Sequence, residues 1–134
     1  MLTGTKILCV DDDEDDLFFI REAIKSITTI MEIAEAKNGR DAIDYLQLAF
    51  QKSDLPNLII MDMNMPKMNG KETIAYIKTN DNFKHIPLVI FTTSSSPADK
   101  SHFESSGVHF ITKPFDYQVF SQQIVDLLNT YQLG

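Results

Sequence analysis

Residues 58–66 read LIIMDMNMP, an apolar run of four residues followed at once by an aspartate, Asp62. An uninterrupted apolar run of this length favours a strand that is covered on both faces, as in a parallel sheet. Comparable apolar or mixed runs occur at 6–10, 31–35, 88–91 and 108–111. The pattern predicts five short strands, with a carboxylate directly after the third.

The segments between these strands carry apolar residues at helical spacing, for example Leu17, Ile20, Ile24 and Ile27. Further stripes are Ala42/Ile43/Leu46/Phe50, Ile74/Ile77 and Phe120/Ile124/Leu127/Leu128/Tyr131. The residues that we expect to cap the last four helices are Asn38, Asn69, Ser96 and Asp116. Strict alternation of strands and helices predicts an α/β fold, with a parallel sheet and helices on both faces.

The formal charge of −7 is concentrated in one hexapeptide, residues 11–16, which holds six of the 19 acidic residues. With 134 residues and 43% hydrophobic content, we expect a single domain over residues 1–134, without an output domain. The single cysteine excludes an internal disulfide and favours the cytoplasm. The lack of a long apolar run argues against a membrane span, and the acidic balance argues against nucleic-acid binding.

Polar residues follow four of the predicted strands: Asp11 and Asp12, then Asp62, Thr92 and Lys113. In open parallel sheets the carboxyl ends of the strands form one ligand-binding edge. Three carboxylates gathered there repel one another, and a hard cation such as Mg²⁺ relieves the repulsion. The grouping predicts that Asp62 is a nucleophile for a phosphoryl group, while Mg²⁺ and Lys113 balance charge and Thr92 donates a hydrogen bond.

Each of these residues also has a simpler interpretation. The acids at 13–16 are typical of a solvated helix start, and Asp15 or Asp16 is predicted to cap the first helix. Lys113 taken alone could be a surface lysine, and Thr92 a strand hydroxyl. Asp62 is different, because a carboxylate directly after an apolar strand is costly without a partner. The joint occurrence at four strand ends favours the functional interpretation.

Together these residues resemble the receiver domain of two-component response regulators. The motifs that carry the resemblance are Val10-Asp11-Asp12, residues 62–66 with Gly70, Thr92, and Lys113-Pro114. The resemblance covers about residues 6–131. It implies a doubly wound, five-stranded parallel sheet of order 2-1-3-4-5 with five helices, the flavodoxin-like topology.

The resemblance also implies roles for individual residues. It makes Asp62 the phospho-acceptor, Asp12 a direct Mg²⁺ ligand, Asp11 a ligand through water, and Asn64 a ligand through its backbone carbonyl. Asp62 itself completes the metal site. Lys113 then pairs with the acceptor and later with the phosphoryl group.

Residues around this group receive secondary roles. Thr92 is implied as a hydroxyl that moves toward the phosphoryl group, and Phe110 as an aromatic that rotates inward with it, or else as a plain core residue. Pro114 is expected after a cis peptide bond. Thr93 is large enough to slow access to the acceptor, and Met63 is either a packing residue or a further shaper of that access.

The implied partners are a sensor histidine kinase or a histidine phosphotransfer protein. The signal is expected to leave through a face built from helix four, strand five and helix five, toward a partner protein or by self-association. Residues expected on that face are Ala98, Lys100, Phe103, Phe110, Gln118 and Gln122. The acid run and residues 92–96 are similar to single-domain regulators paired with phytochrome-type histidine kinases. Such a switch catalyses only its own phosphorylation and dephosphorylation.

The competing hypothesis is an enzyme, a Mg²⁺-dependent phosphatase of the haloacid-dehalogenase type. Those enzymes also form an aspartyl phosphate, and the motif Asp62-Met63-Asn64 is similar to theirs. They need an acid two residues after the nucleophile, however, and Asn64 cannot transfer a proton in that way. They also need a cap domain or a longer core, so the chain length disfavours this alternative.

Overall fold

The computed structural model describes residues 5–27 and 32–131. The strands are β1 (Lys6–Val10), β2 (Glu32–Ala36), β3 (Leu58–Met61), β4 (Leu88–Thr92) and β5 (His109–Thr112). The helices are α1 (Glu14–Lys25), α2 (Gly39–Gln51), α3 (Gly70–Thr79), α4 (Pro97–Ser105) and α5 (Tyr117–Thr130). The predicted strand boundaries therefore hold to within one residue, and Met31, predicted to start β2, lies outside the described residues.

The five strands form one parallel sheet in the order β2-β1-β3-β4-β5, which confirms the expected topology. Val10 at the end of β1 pairs in register with Met61 at the end of β3. Met61 in turn pairs with Ile90, two residues before the end of β4. This register brings the residues that follow β1 and β3 side by side at one edge of the sheet.

Two apolar layers cover the sheet. Buried residues of α2, α3 and α4 pack on one face, around Leu8, Met61 and Ile90. Buried residues of α1 and α5 pack on the other face, around Ile60 and Phe91. The apolar strands are thus covered on both sides, which explains why they lack the alternation of a half-exposed strand.

Most of the predicted apolar stripes are buried, but two of their end members are not. Ile27 lies beyond the end of α1 and is 39% exposed, while Phe50 in the last turn of α2 is 44% exposed. Ile27 is no longer part of the helix, and the Phe50 ring packs edge-on against Phe83 while part of it stays in solvent. The helical period fixes the direction of a side chain around the helix axis, but it does not tell where the covering layer ends.

The helix starts follow the predicted caps, with one correction. The side chains of Asn38, Asn69, Ser96 and Asp116 accept hydrogen bonds from first-turn backbone N–H groups, as predicted. For α1 the prediction of Asp15 or Asp16 was wrong, because Asp13 is the cap. Its carboxylate accepts from the backbone N–H groups of Asp15 and Asp16, which therefore belong to the first turn.

Candidate functional site

Three carboxylates meet at the carboxyl edge of the sheet. Asp11 directly follows β1 and is 2% exposed, Asp62 directly follows β3 and is 9% exposed, and Asp12 faces solvent. One oxygen from each of the three side chains lies within 4.8 Å of the others. The pairing of β1 with β3 produces this approach across fifty residues of sequence.

The chemistry of these three groups fits a hard divalent cation. Burial raises the pKa of Asp11 to about 6, although Lys113 nearby opposes the shift. Burial also raises the pKa of Asp62, against the lowering effects of Lys113, Thr92 and backbone N–H groups. Buried carboxylates that are hard to ionise alone gain most from a nearby cation, and oxygen-only ligands suit Mg²⁺ or a similar ion.

Lys113 occupies the other side of this cluster. Its ammonium Nζ lies 2.6 Å from Asp11 Oδ2 and 2.8 Å from Asp16 Oδ2, but 4.0 Å from Asp62 Oδ2. Burial alone would lower the pKa of Lys113, but Asp11, Asp16 and Asp62 outweigh burial and raise it. The lysine is therefore held as a cation, and its hydrogen bonds go to two other carboxylates rather than to Asp62.

Asp16 is the site residue that the sequence did not indicate. It was interpreted as part of a solvated helix start, yet it shares the Lys113 ammonium with Asp11. Nothing in the local sequence separates Asp16 from Asp15, and the contact joins residues 97 positions apart. Only the packing of α1 beside the loop after β5 reveals it.

The remaining groups around Asp62 are hydrogen-bond donors. The backbone N–H of Met63 donates to Asp62 Oδ1 at 2.8 Å. The Thr92 hydroxyl and the backbone N–H of Asn64 also act to lower the pKa of Asp62. Thr92 is fully buried, whereas the Asn64 side chain is exposed. Asp62 is therefore oriented by its own loop and by the end of β4.

Gly70 holds the loop after β3 in place. Its N–H donates to the Met63 carbonyl at 2.8 Å. A Cβ atom at position 70 would lie 2.7 Å from Met63 Cα and 2.8 Å from the Asp62 carbonyl oxygen. The start of α3 is thus pressed against the backbone that carries Asp62, and only a residue without a side chain fits there.

Comparison with known proteins agrees with this geometry. Residues 7–125 match the profile of the response regulator receiver domain. The chain belongs to this family. Receiver domains are phospho-accepting signalling switches, and no comparison supports the alternative phosphatase.

The receiver domain is similar in sequence and in structure to known response regulators. It is 38% identical to response regulator Rcp1 of Synechocystis sp. over 95 residues, which are 69% of this chain and 65% of Rcp1. Its structure is similar to that of the phosphorylated cyanobacterial phytochrome response regulator RcpA, with a TM-score of 0.89, 30% identity, and coverage of 96% and 94% of the two chains. Mn²⁺-bound Rcp1 gives a TM-score of 0.86 at 30% identity, with coverage of 95% and 94%.

The structure also locates the three further residues that the sequence analysis names around Asp62, which are Thr93, Pro114 and Met63. Thr93 is exposed and, with Pro114, lines a cavity of about 270 Å³ beside Lys113, while Met63 is buried in the core. The expected cis peptide before Pro114 was wrong, since no described peptide bond is cis. Trans is the preferred form of a bond to proline by about 0.5–1 kcal/mol.

The face formed by α4, β5 and α5 is less aromatic than predicted. Phe110 and Phe103 are both buried and stack on each other with ring centroids 6.0 Å apart. Phe103 was expected on this face and lies in the core instead, whereas Phe110 occupies the core position that was its second predicted alternative, because β5 turns it toward the layer under α4. The exposed members of the predicted face are Ala98, Lys100, Gln118 and Gln122.

Within the described ranges, no helix combines the length and the apolar character that crossing a membrane requires.

Proposed function

We propose that Asp62 is the phospho-acceptor of this receiver domain. The observation that carries the proposal is the position of its carboxylate, next to two other carboxylates and within 4.0 Å of a buried ammonium. A carboxylate in that setting has a place for a cation on one side and a fixed positive charge on the other. Both are what the transfer of a phosphoryl group requires.

In the proposed reaction, an oxygen of Asp62 attacks the phosphorus of a phosphohistidine. An O–P bond forms while the N–P bond to the donor imidazole breaks. The electron pair of the broken bond stays on the imidazole nitrogen, which takes a proton from solvent. Lys113 stabilises the negative charge on the transferred oxygens, and Thr92 donates a hydrogen bond to one of them.

Asp11, Asp12 and Asp62 would hold the Mg²⁺ ion, with Asn64 contributing its backbone carbonyl. Their oxygen-only character and the raised pKa of Asp11 support this assignment. When bound, the cation supplies positive charge to the equatorial oxygens of the phosphoryl group. Asp11 then serves two neighbours, the cation and Lys113.

Receiver domains of this family receive their phosphoryl group from histidine kinases. For this chain we propose a sensor histidine kinase or a histidine phosphotransfer protein as donor. The similarity to Rcp1 and to RcpA supports a kinase of the phytochrome type. The output is proposed to leave through the α4-β5-α5 face, by a shift of Thr92 and a rearrangement of Phe110, toward a partner protein or a second copy.

The direct test uses acetyl phosphate and Mg²⁺ as a small phosphodonor system. We expect a single phosphoryl adduct by intact mass, labile to hydroxylamine as an acyl phosphate is. The adduct should be absent in Asp62→Asn and should form normally in Asp54→Asn, which changes an exposed carboxylate at the opposite edge of the sheet. Persistence of the adduct in Asp62→Asn would show that the acceptor is another residue.

A further inference from the structure

Asp16 stands outside the cluster of three carboxylates, yet it contacts Lys113, whose ammonium lies beside that cluster. Its Oδ2 accepts a hydrogen bond from Lys113 Nζ at 2.8 Å. It is not among the three acids whose oxygens lie within 4.8 Å of one another. A cation bound by those three acids therefore leaves the contact between Asp16 and Lys113 in place.

The position of Asp16 is fixed by the start of α1. The Asp13 carboxylate accepts from the backbone N–H of Asp16 at 3.2 Å, which sets the first turn of the helix. The packing of α1 against α5 then places this turn next to the loop after β5, which carries Lys113. Asp16 is 21% exposed in its side chain, compared with 3% for Asp11, so its hold on the ammonium is partly hydrated.

The contacts of Lys113 show what must change when a phosphoryl group arrives on Asp62. Its ammonium has three hydrogens, and two of its hydrogen bonds go to Asp11 and Asp16. Asp62 Oδ2, at 4.0 Å, lies beyond hydrogen-bond range. To donate its third hydrogen to a phosphoryl oxygen on Asp62, the ammonium has to shift toward Asp62, and its hydrogen bonds to Asp11 and Asp16 restrain that shift.

We propose that Asp16 is a positioning residue that restrains Lys113 and sets how readily the ammonium reaches the phosphoryl group. The proposal rests on the function proposed above. Asp16 touches neither the acceptor nor the donor, and it acts only through Lys113. Asp16 therefore slows phosphorylation, although it belongs to the start of α1 and not to the metal site.

The test compares two substitutions that remove the same charge from the same helical turn. Asp16→Asn weakens the contact with Lys113 because a neutral amide replaces the carboxylate, and Asp15→Asn serves as the control, because Asp15 is an exposed neighbour on that turn. With acetyl phosphate and Mg²⁺, we expect Asp16→Asn to be phosphorylated about three- to tenfold faster than wild type, the effect of one net hydrogen bond. Asp15→Asn should change the rate by less than about twofold, since an exposed charge acts only through screened electrostatics.

Two further measurements separate restraint from a structural role. Asp16→Glu, which keeps the carboxylate, should bring the rate back toward the wild-type value. In the unphosphorylated protein at one fixed pH, the ¹³Cε–¹H resonance of Lys113, assigned by its absence in Lys113→Met, should shift in Asp16→Asn and not in Asp15→Asn.

The proposal is overturned if Asp16→Asn is no faster than Asp15→Asn, or if Asp16→Glu is as fast as Asp16→Asn. It is also overturned if the Lys113 resonance responds equally to both asparagine variants. These outcomes differ from a failure of the proposed function, in which the wild-type protein acquires no adduct on Asp62. In that case the Lys113 resonance still decides whether Asp16 holds the lysine.

Discussion

Two buried lysines stand at opposite edges of the sheet, and the comparison between them separates a site from a structural contact. Lys6 begins β1 at the amino edge, and Lys113 follows β5 at the carboxyl edge. Their side chains are almost equally buried, at 6% and 5% exposure. Each one is paired with carboxylates, so burial of the lysine does not distinguish them.

The difference lies in the partners. Lys6 pairs with Asp54 and Glu32, whose side chains are 49% and 69% exposed. The hydrogen bond from Lys6 to Asp54 raises the pKa of Lys6, against the effect of burial, and the pair closes one end of the sheet. The partners of Lys113 include Asp11 and Asp62, which are themselves buried.

A buried lysine with exposed carboxylate partners can serve as a structural contact at the edge of a sheet, because water still solvates the carboxylates. A buried cation with buried anions concentrates poorly solvated charge, which costs stability and is typical of functional sites. The raised pKa of Asp11 expresses that cost. The two edges are therefore distinguished by the exposure of the carboxylates and not by that of the lysines: the carboxyl edge, where the carboxylates are buried, is the candidate functional site.

The largest predicted effect comes from removing each lysine in turn. Lys113→Met should lower the rate of phosphorylation by acetyl phosphate by on the order of 100- to 1000-fold, because a preorganised positive charge at the transferring group is lost. Lys6→Met should leave the rate within about twofold of wild type, since its ion pair lies at the other edge. Equal losses in the two variants would remove the distinction between the edges.

The next effect concerns pH in protein freed of divalent ions by a chelator. The folded pKa of Asp11 is raised from 3.8 to about 6, so the folded state binds this proton more tightly than the unfolded state does. Stability should therefore fall as pH rises from about 4 to about 6, by as much as about 3 kcal/mol relative to Asp11→Asn. Urea unfolding of both proteins across this range measures the difference.

Asp99 should affect the pH dependence of stability in the opposite direction, and Asp99→Asn tests this in the same urea experiment. Hydrogen bonding from Ser94 and the charge of Lys71 lower the pKa of Asp99, so its contribution is present at neutral pH and is lost on acidification. If wild type and Asp11→Asn kept a constant difference between pH 4 and pH 7, the burial cost assigned to Asp11 would be wrong.

A smaller effect is expected from adding Mg²⁺ at neutral pH. A ligand at about 30 times its Kd stabilises the folded state by about 2 kcal/mol, and the buried anions should make this edge the binding place. Asp12→Asn, at an exposed position, should abolish most of the gain. Asp54→Asn should keep it, and equal loss in both variants would argue for diffuse binding to the acidic surface.

The smallest effect is the stability change in Lys6→Met. Since both partners of Lys6 are well solvated, we expect a loss of only about 0.5–1 kcal/mol in the free energy of unfolding by urea. A loss of several kcal/mol would mean that the amino edge also depends on buried charge, and the contrast between the two lysines would then be one of position alone.

The sequence predicted most of this fold because its signals were local and agreed with one another. Apolar strands, helical stripes and cap residues such as Asn69 each mark their own element, and alternation alone then leaves few topologies. The carboxylates were predictable too, because Asp11 and Asp62 follow strands that a parallel sheet must align. Their position depends on topology and not on details of packing.

What the sequence did not predict depends on tertiary packing. The contact between Asp16 and Lys113 requires the position of α1 beside the loop after β5, and no periodicity encodes it. The burial of Phe103 depends on how α4 lies on β5, where its ring stacks on Phe110. The cap of α1 was misplaced because any of several adjacent acids could serve, and the extended backbone at Asp13 decides among them.

The close approach of Gly70 has a consequence for reading variation in this chain. Position 70 contributes no side chain and contacts no reacting group, yet any larger residue there must displace the backbone that carries Asp62. In a saturation mutagenesis screen scored by signalling, position 70 should tolerate almost as few substitutions as Asp62, the proposed acceptor. A map of intolerant positions would therefore include residues that hold the backbone of the site in place as well as residues that take part in the reaction. Variants of the first kind fail to fold correctly, whereas variants of the second kind fold but are not phosphorylated.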